Sequence, residues 1–150
     1  MAVKIYRDND KLSAHFTVNE FKCSDSEYAF IEEKLVKRLE KFWQWGVTSV
    51  VITSGYRTPD YSVKVGGART DAHTKGLAVD IICYKGKKAL NSIKTACIAQ
   101  EIGFSGIGII DETAVHVDVR TKMNYTNSHW WGDERKNLNN INDFYSGFKC

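Results

Sequence analysis

The segment Ala114-Val115-His116-Val117-Asp118-Val119-Arg120 alternates apolar and polar side chains with a period of two. Such a repeat resolves into two distinct faces only in an extended strand. Val115, Val117 and Val119 then share one face, and His116, Asp118 and Arg120 share the other. The valine face predicts a strand of a sheet that is buried on that side. The opposite face lines up an imidazole, a carboxylate and a guanidinium, an unusual set for plain surface.

The rest of the chain supplies partners for this strand. Residues 47–53 are rich in β-branched side chains and read as a strand, as do 77–83 and 107–110. The turn Asp111-Glu112-Thr113-Ala114 joins the last of these to 115–119. A helix is expected over 27–45, with Ile31, Leu35, Leu39 and Phe42 inward and Glu32, Lys34, Lys37 and Lys41 on the other side. A second is expected over 88–102, with Leu90, Ile93, Cys97 and Ile102 inward. The pattern Thr17-Val18-Asn19-Glu20 fits a capping box and predicts a short helical turn from Val18. Residues 54–74 are polar and glycine-containing and read as a long functional loop with one short helix after Pro59. The polar tail from Thr121 reads as mostly irregular. Helices lead, and strands with one helix between them follow. The predicted class is α+β, with helices on one face of a small, mainly antiparallel sheet. A length of 150 residues fits a single domain, 1–150.

Composition narrows the function. The net charge is +3, and no run of five or six basic residues appears, which argues against a nucleic-acid partner. No stretch is long and apolar enough to span a membrane. The N-terminus lacks the apolar region of a signal peptide, so synthesis in the cytosol is expected. The four cysteines, Cys23, Cys83, Cys97 and Cys150, form no Cys-x-x-Cys pair, which argues against a thiolate zinc knuckle. Most are expected to be buried, reduced thiols, with Cys150 free.

Four histidines are present: His15, His73, His116 and His129. Asp80 follows His73 by seven residues, at the entry to a predicted strand. Two histidines and one aspartate can form a three-ligand zinc site with a fourth position left for water. The metal would polarise a carbonyl and acidify that water, and a nearby carboxylate would take the proton. Spacing alone leaves a structural, hydrogen-bonded role open for each histidine. His15 and His129 fit no ligand spacing. Trp43 and Trp45 end a predicted helix and read as core. Trp130, Trp131 and Tyr125 read either as packing or as an aromatic shelf.

Several ordered motifs decide between these readings. Ser54-Gly55-Tyr56-Arg57-Thr58-Pro59, Val65-Gly66-Gly67-Ala68, His73-x-x-Gly76-x-Ala78-x-Asp80 and Val115-His116-Val117-Asp118-Val119-Arg120 resemble the M15 peptidase family of zinc D-Ala-D-Ala carboxypeptidases and phage endolysins. The opening His15-Phe16-x-x-x-Glu20-Phe21-x-Cys23 is similar to its small single-domain branch. The resemblance runs from about His15 to Arg120. It implies the fold shared by D-Ala-D-Ala peptidases and the Hedgehog signalling domain. It implies Zn2+ held by His73, Asp80 and His116, with Arg57 on the substrate carboxylate or on a developing oxyanion. It also implies hydrolysis of a peptidoglycan stem peptide, by a D,D-carboxypeptidase or an L-Ala-D-Glu endopeptidase. A wall substrate would require release or export of the phage type; a monomer is expected. Two positions depart from the family pattern. Asp71 replaces a serine two residues before the first ligand, and Thr113 stands where relatives place an acidic base. Asp118, on the strand face of His116, is therefore the expected base, with Glu112 in the turn as second choice. The alternative is a non-catalytic, zinc-stabilised wall-binding or interaction domain on the same fold.

Overall fold

The computed structural model describes residues 3–121, 130–136, 148 and 150. Strand β1 (Val3–Tyr6) pairs antiparallel with β2 (Ala29–Glu32) in a two-stranded sheet. The main sheet contains β3 (Ser49–Ser54), β4 (Ala78–Lys85), β5 (Lys88–Ala89), β6 (Gly106–Ile109), β7 (Val115–Asp118) and β8 (Trp130–Asp133). Its order is β3-β4-β7-β6-β8, with β5 paired to β4. Every pairing is antiparallel except β6 with β8, which is parallel. Among the described residues three α-helices accompany it: α1 (Glu33–Glu40), α2 (Pro59–Lys64) and α3 (Ser92–Ile102). This is the expected α+β class.

Register explains the two faces of the sheet. Val79, Val117 and Ile107 lie abreast on β4, β7 and β6, and Ile81, Val115 and Ile109 form the next row. All six are fully buried. Helix α3 packs on these three strands. Each such side chain contributes roughly 1.5–3 kcal/mol by leaving water. The intervening row, Asp80, His116 and Gly108, faces the other way. The period-two alternation therefore separates the core from the chemistry across three strands.

Several local expectations are corrected. The first long helix begins six residues late, because Ala29–Glu32 is drawn into pairing with β1. Glu32, expected on the solvent side, is buried, and its carboxylate caps α1 by accepting from the backbone N–H groups of Lys34 and Leu35. The second helix begins at Ser92, where the Asn91 side chain accepts from Lys94 N at 2.9 Å. Its inward face is Thr95, Ala96, Ala99 and Ile102, while Ile93 is exposed. Small residues let the helix lie close to the sheet, and this outweighs the larger apolar surface of Ile93. In the tail, expected to be mostly irregular, the described residues Trp130–Asp133 form β8, which adds to the edge of β6. Trp45, read as core, is half exposed.

The cysteines divide differently from expectation. Cys97 and Cys150 form a disulfide across 53 positions, with Cα atoms 5.9 Å apart. The chain end is brought there by Phe148, which is buried and bonded through its backbone to the Gln100 side chain. Cys83 is a buried free thiol whose pKa burial pushes up to about 12. Cys23 is free and partly buried.

Candidate metal centre

The loop after α2 is folded by its own polar side chains. The Asp71 carboxylate accepts from Thr74 N at 2.9 Å, and Thr74 Oγ1 accepts from Asp71 N at 2.9 Å. This closed turn fixes His73, which lies within it. Gly76 then turns the chain into β4 with φ of 75°, and a Cβ there would stand 2.5 Å from the Phe30 carbonyl. The glycine of the His73 motif is needed for both reasons.

His73 Nδ1 donates to the Gly55 carbonyl at 2.9 Å. A carbonyl only accepts, so Nδ1 carries the proton and Nε2 presents its lone pair. That Nε2 lies 3.2 Å from Asp80 Oδ1 and 3.3 Å from His116 Nδ1. His116 Nδ1 is 3.2 Å from the same Asp80 oxygen. Asp80 and His116 face each other directly across β4 and β7, which accounts for their proximity. Three ligand atoms thus converge at nearly equal separations in a group that could hold a metal ion. Ligands at about 2.0–2.1 Å in a tetrahedron stand about 3.3 Å apart, so the donor set and its spacing fit zinc.

Asp80 and His116 of this group are held from behind. Arg57 donates to Asp80 Oδ2 at 3.3 Å and to Ser54 Oγ at 2.9 Å, leaving Oδ1 toward the histidines. His116 Nε2 donates to Asp118 Oδ2 at 2.8 Å, which leaves Nδ1 for the centre. A carboxylate behind a ligating imidazole fixes its tautomer and raises its basicity. Arg120 clamps Asp118 in turn, with Nε 2.9 Å from Oδ1. Burial opposes the charge on Asp80 and Asp118, but the imidazoles of His116 and His73 beside Asp80, and His116 and Arg120 beside Asp118, hold both carboxyls below the usual range in the metal-free protein. In the metal-free protein burial would lower the His116 pKa, yet Asp118 and Asp80 raise it to about 9.

The centre opens into a cavity of about 480 Å³ lined by Arg57, Asp71, His73, Asp80, His116, Arg120, Trp130 and Glu134, among others. Glycines on β6 make room for it. A Cβ on Gly106 would stand 2.2 Å from the Asp118 carboxylate, and one on Gly108 would stand 2.6 Å from the Trp130 ring. The Trp130 indole meets the His116 ring edge-on at 5.6 Å, and the Arg120 guanidinium lies 5.2 Å from its centroid.

The expected residues are placed unequally. His73, Asp80, His116 and Arg57 come together. Asp118 keeps the face of His116, but its carboxylate is wholly enclosed and engaged by His116 and Arg120. The premise that it reaches the cavity directly is therefore not met. Glu112 lies outside the cavity lining, with its side chain 87% exposed and 3.9 Å from Arg135. Asp71, the departure from the family serine, keeps a defined job in folding the His73 loop and accepting from Ser62 Oγ at 2.8 Å. Sequence reasoning missed Glu134, because nothing in the sequence shows that β8 returns beside β6. His15 pairs with Glu40 at 2.6 Å and stacks on Trp43, away from the centre. His129 and Tyr125 lie outside the described residues.

Two imidazoles and one carboxylate meeting in an open cavity, beside a partly buried arginine, define a candidate metallohydrolase centre on an α+β scaffold. A model of the family described as Peptidase M15 matches residues 14–118, more than two-thirds of the chain, and the chain belongs to that family. Comparison with curated proteins and with solved structures gives no match.

Proposed function

We propose that the protein is a zinc-dependent peptidase that hydrolyses a peptide bond in peptidoglycan stem peptides, as a D,D-carboxypeptidase or an L-Ala-D-Glu endopeptidase. The observation that carries this reading is the convergence of His73 Nε2, Asp80 Oδ1 and His116 Nδ1 at 3.2–3.3 Å in an M15 chain. These residues would hold the zinc, which when bound supplies a Lewis acid and an acidified water.

The chain's own residues supply the rest. Arg57 lines the cavity beside Asp80 and would hold the substrate carboxylate or the carbonyl oxygen as negative charge develops. Asp118 acts as a positioning residue through His116. The proton acceptor is then a carboxylate on the cavity itself. Asp71 is engaged in its turn, whereas Glu134 lines the cavity with no hydrogen bond to another described side chain. Glu134 would take a proton from the attacking water and pass it to the leaving amine. Trp130 forms an apolar wall against which the substrate chain would lie.

Digestion of purified cell walls with and without chelator tests the proposal. Chelation should abolish the release of new amino termini, and added zinc should restore it. A zinc-loaded protein inactive on walls and on a panel of stem peptides would instead favour a non-catalytic, zinc-stabilised wall-binding domain.

A further inference from the structure

The hairpin of β4 and β5 gathers lysines into one place. Lys85 stands directly opposite Lys88 across its strands. Like charges in that position destabilise a strand pair, so this pairing carries a local cost that the fold does not require. Lys87 lies in the turn between them, and all three lysines are exposed. Helix α3 adds Lys94. Lys85, Lys88 and Lys94 line one groove of about 260 Å³ together with Asn91. Asn91 and Lys94 also line an adjoining groove of about 520 Å³, whose wall includes Trp45 and Ile93, both exposed. The Lys85 ammonium comes within 3.9 Å of where a Cβ on Gly46 would stand, which sets it near Trp45. Among the described residues, the only carboxylate side chain lining either groove is that of Glu101. Neither groove shares a residue with the cavity at the metal centre.

We propose that this surface binds a phosphodiester-linked anionic polymer of the cell envelope, of the polyol-phosphate or sugar-phosphate type, and so holds the peptidase on its substrate. Placement at the wall rests on the function proposed above. Ammonium groups are compact point charges suited to phosphate, and several along connected grooves favour a chain of phosphates over a single one. The exposed indole of Trp45 offers an apolar face to the polyol or sugar between phosphates. A single-stranded nucleic acid would call for several aromatic side chains to stack successive bases, and among the described residues these grooves offer Trp45 alone.

The test measures binding of the whole protein to synthetic poly(glycerol phosphate), which contains no peptide bond and is read independently of hydrolysis. Each lysine that neutralises a phosphate contributes about −0.7 to the slope of log affinity against log salt, so three should give about −2. A K85Q/K88Q/K94Q variant should bind at least about tenfold more weakly, with a slope near zero. Trp45→Ala should also weaken binding, at an unchanged slope. Both variants should melt cooperatively and cleave a soluble stem peptide at the wild-type rate. A K4Q/K37Q/K41Q control, with the same change in net charge, should bind like wild type. Unchanged binding by K85Q/K88Q/K94Q would overturn the proposal. Equal weakening by the control, or tighter binding of a single-stranded oligonucleotide of equal charge, would overturn it as well. Loss of peptide hydrolysis in the wild type would bear on the catalytic reading and leave this binding measurement intact.

Discussion

Replacing Asp118 by asparagine separates a positioning role from a direct proton transfer. The Asp118 carboxylate is fully buried and accepts from His116 Nε2 at 2.8 Å, from Arg120 N at 3.1 Å and from Arg120 Nε at 2.9 Å. An asparagine offers one acceptor oxygen and one NH2 group. Whichever way it is turned, the NH2 faces either the His116 N–H or the Arg120 guanidinium, donor against donor. Breaking a buried ion pair from one side costs about 3–5 kcal/mol. That is a large fraction of the roughly 5–15 kcal/mol that holds a domain together. Loss of the carboxylate behind a ligating imidazole weakens metal affinity by about 10–100-fold, or roughly 1.4–2.7 kcal/mol. Chelator-competition titration should find Asp118→Asn weaker for zinc by that factor, and denaturant unfolding should find it less stable. Saturating zinc at low temperature should restore most of the turnover. Wild-type zinc affinity combined with a loss of turnover that zinc does not restore would refute the reasoning, because Asp118 would then act on the substrate's protons itself.

Glu134→Gln should lower turnover by about a hundredfold or more with zinc content intact, within the usual range for an acid–base group, whereas Glu112→Gln should be nearly silent; the reverse order would move the base to the turn. Arg57→Ala should keep the metal and lose about a hundredfold in kcat/KM, since one charged donor at a developing oxyanion is worth roughly 3 kcal/mol; near-normal turnover would reduce Arg57 to a brace for Asp80. In metal-free protein, His116 has its pKa raised to about 9, above its unfolded value of about 6.5, so its stabilising effect is complete below about pH 6.5 and is lost as pH rises through 9. Thermal melts of metal-free protein should therefore fall between those values, and zinc binding near pH 7 should release about one proton to the buffer in calorimetry. Reducing the Cys97–Cys150 bond frees a loop closed over 53 positions, which should lower stability by about 4 kcal/mol in denaturant titrations.

The grouping of His73, Asp80 and His116 was legible in the sequence because their placement is mostly local. Alternation along 115–119 assigned a face to His116, and the His73 motif contains both its turn and the entry to β4. The inward valines and isoleucines of the sheet follow from the same periodicity, which is a property of the strand alone. The features that only tertiary structure decided depend on how distant segments meet. The period gave Asp118 its face, but whether a carboxylate on that face is open to a cavity or sealed under Arg120 depends on neighbouring strands. Glu134 enters the cavity because β8 runs parallel to β6, a pairing with no hairpin turn to announce it. Cys97 and Cys150 meet because Phe148 docks the chain end near α3, and no spacing between the two cysteines encodes that. Lys85, Lys87 and Lys88 already stand together in the sequence, and folding adds Lys94 at the helix start and Trp45 beside them. Local pattern fixes which way a side chain faces; what it meets there is decided by contacts between segments far apart in sequence.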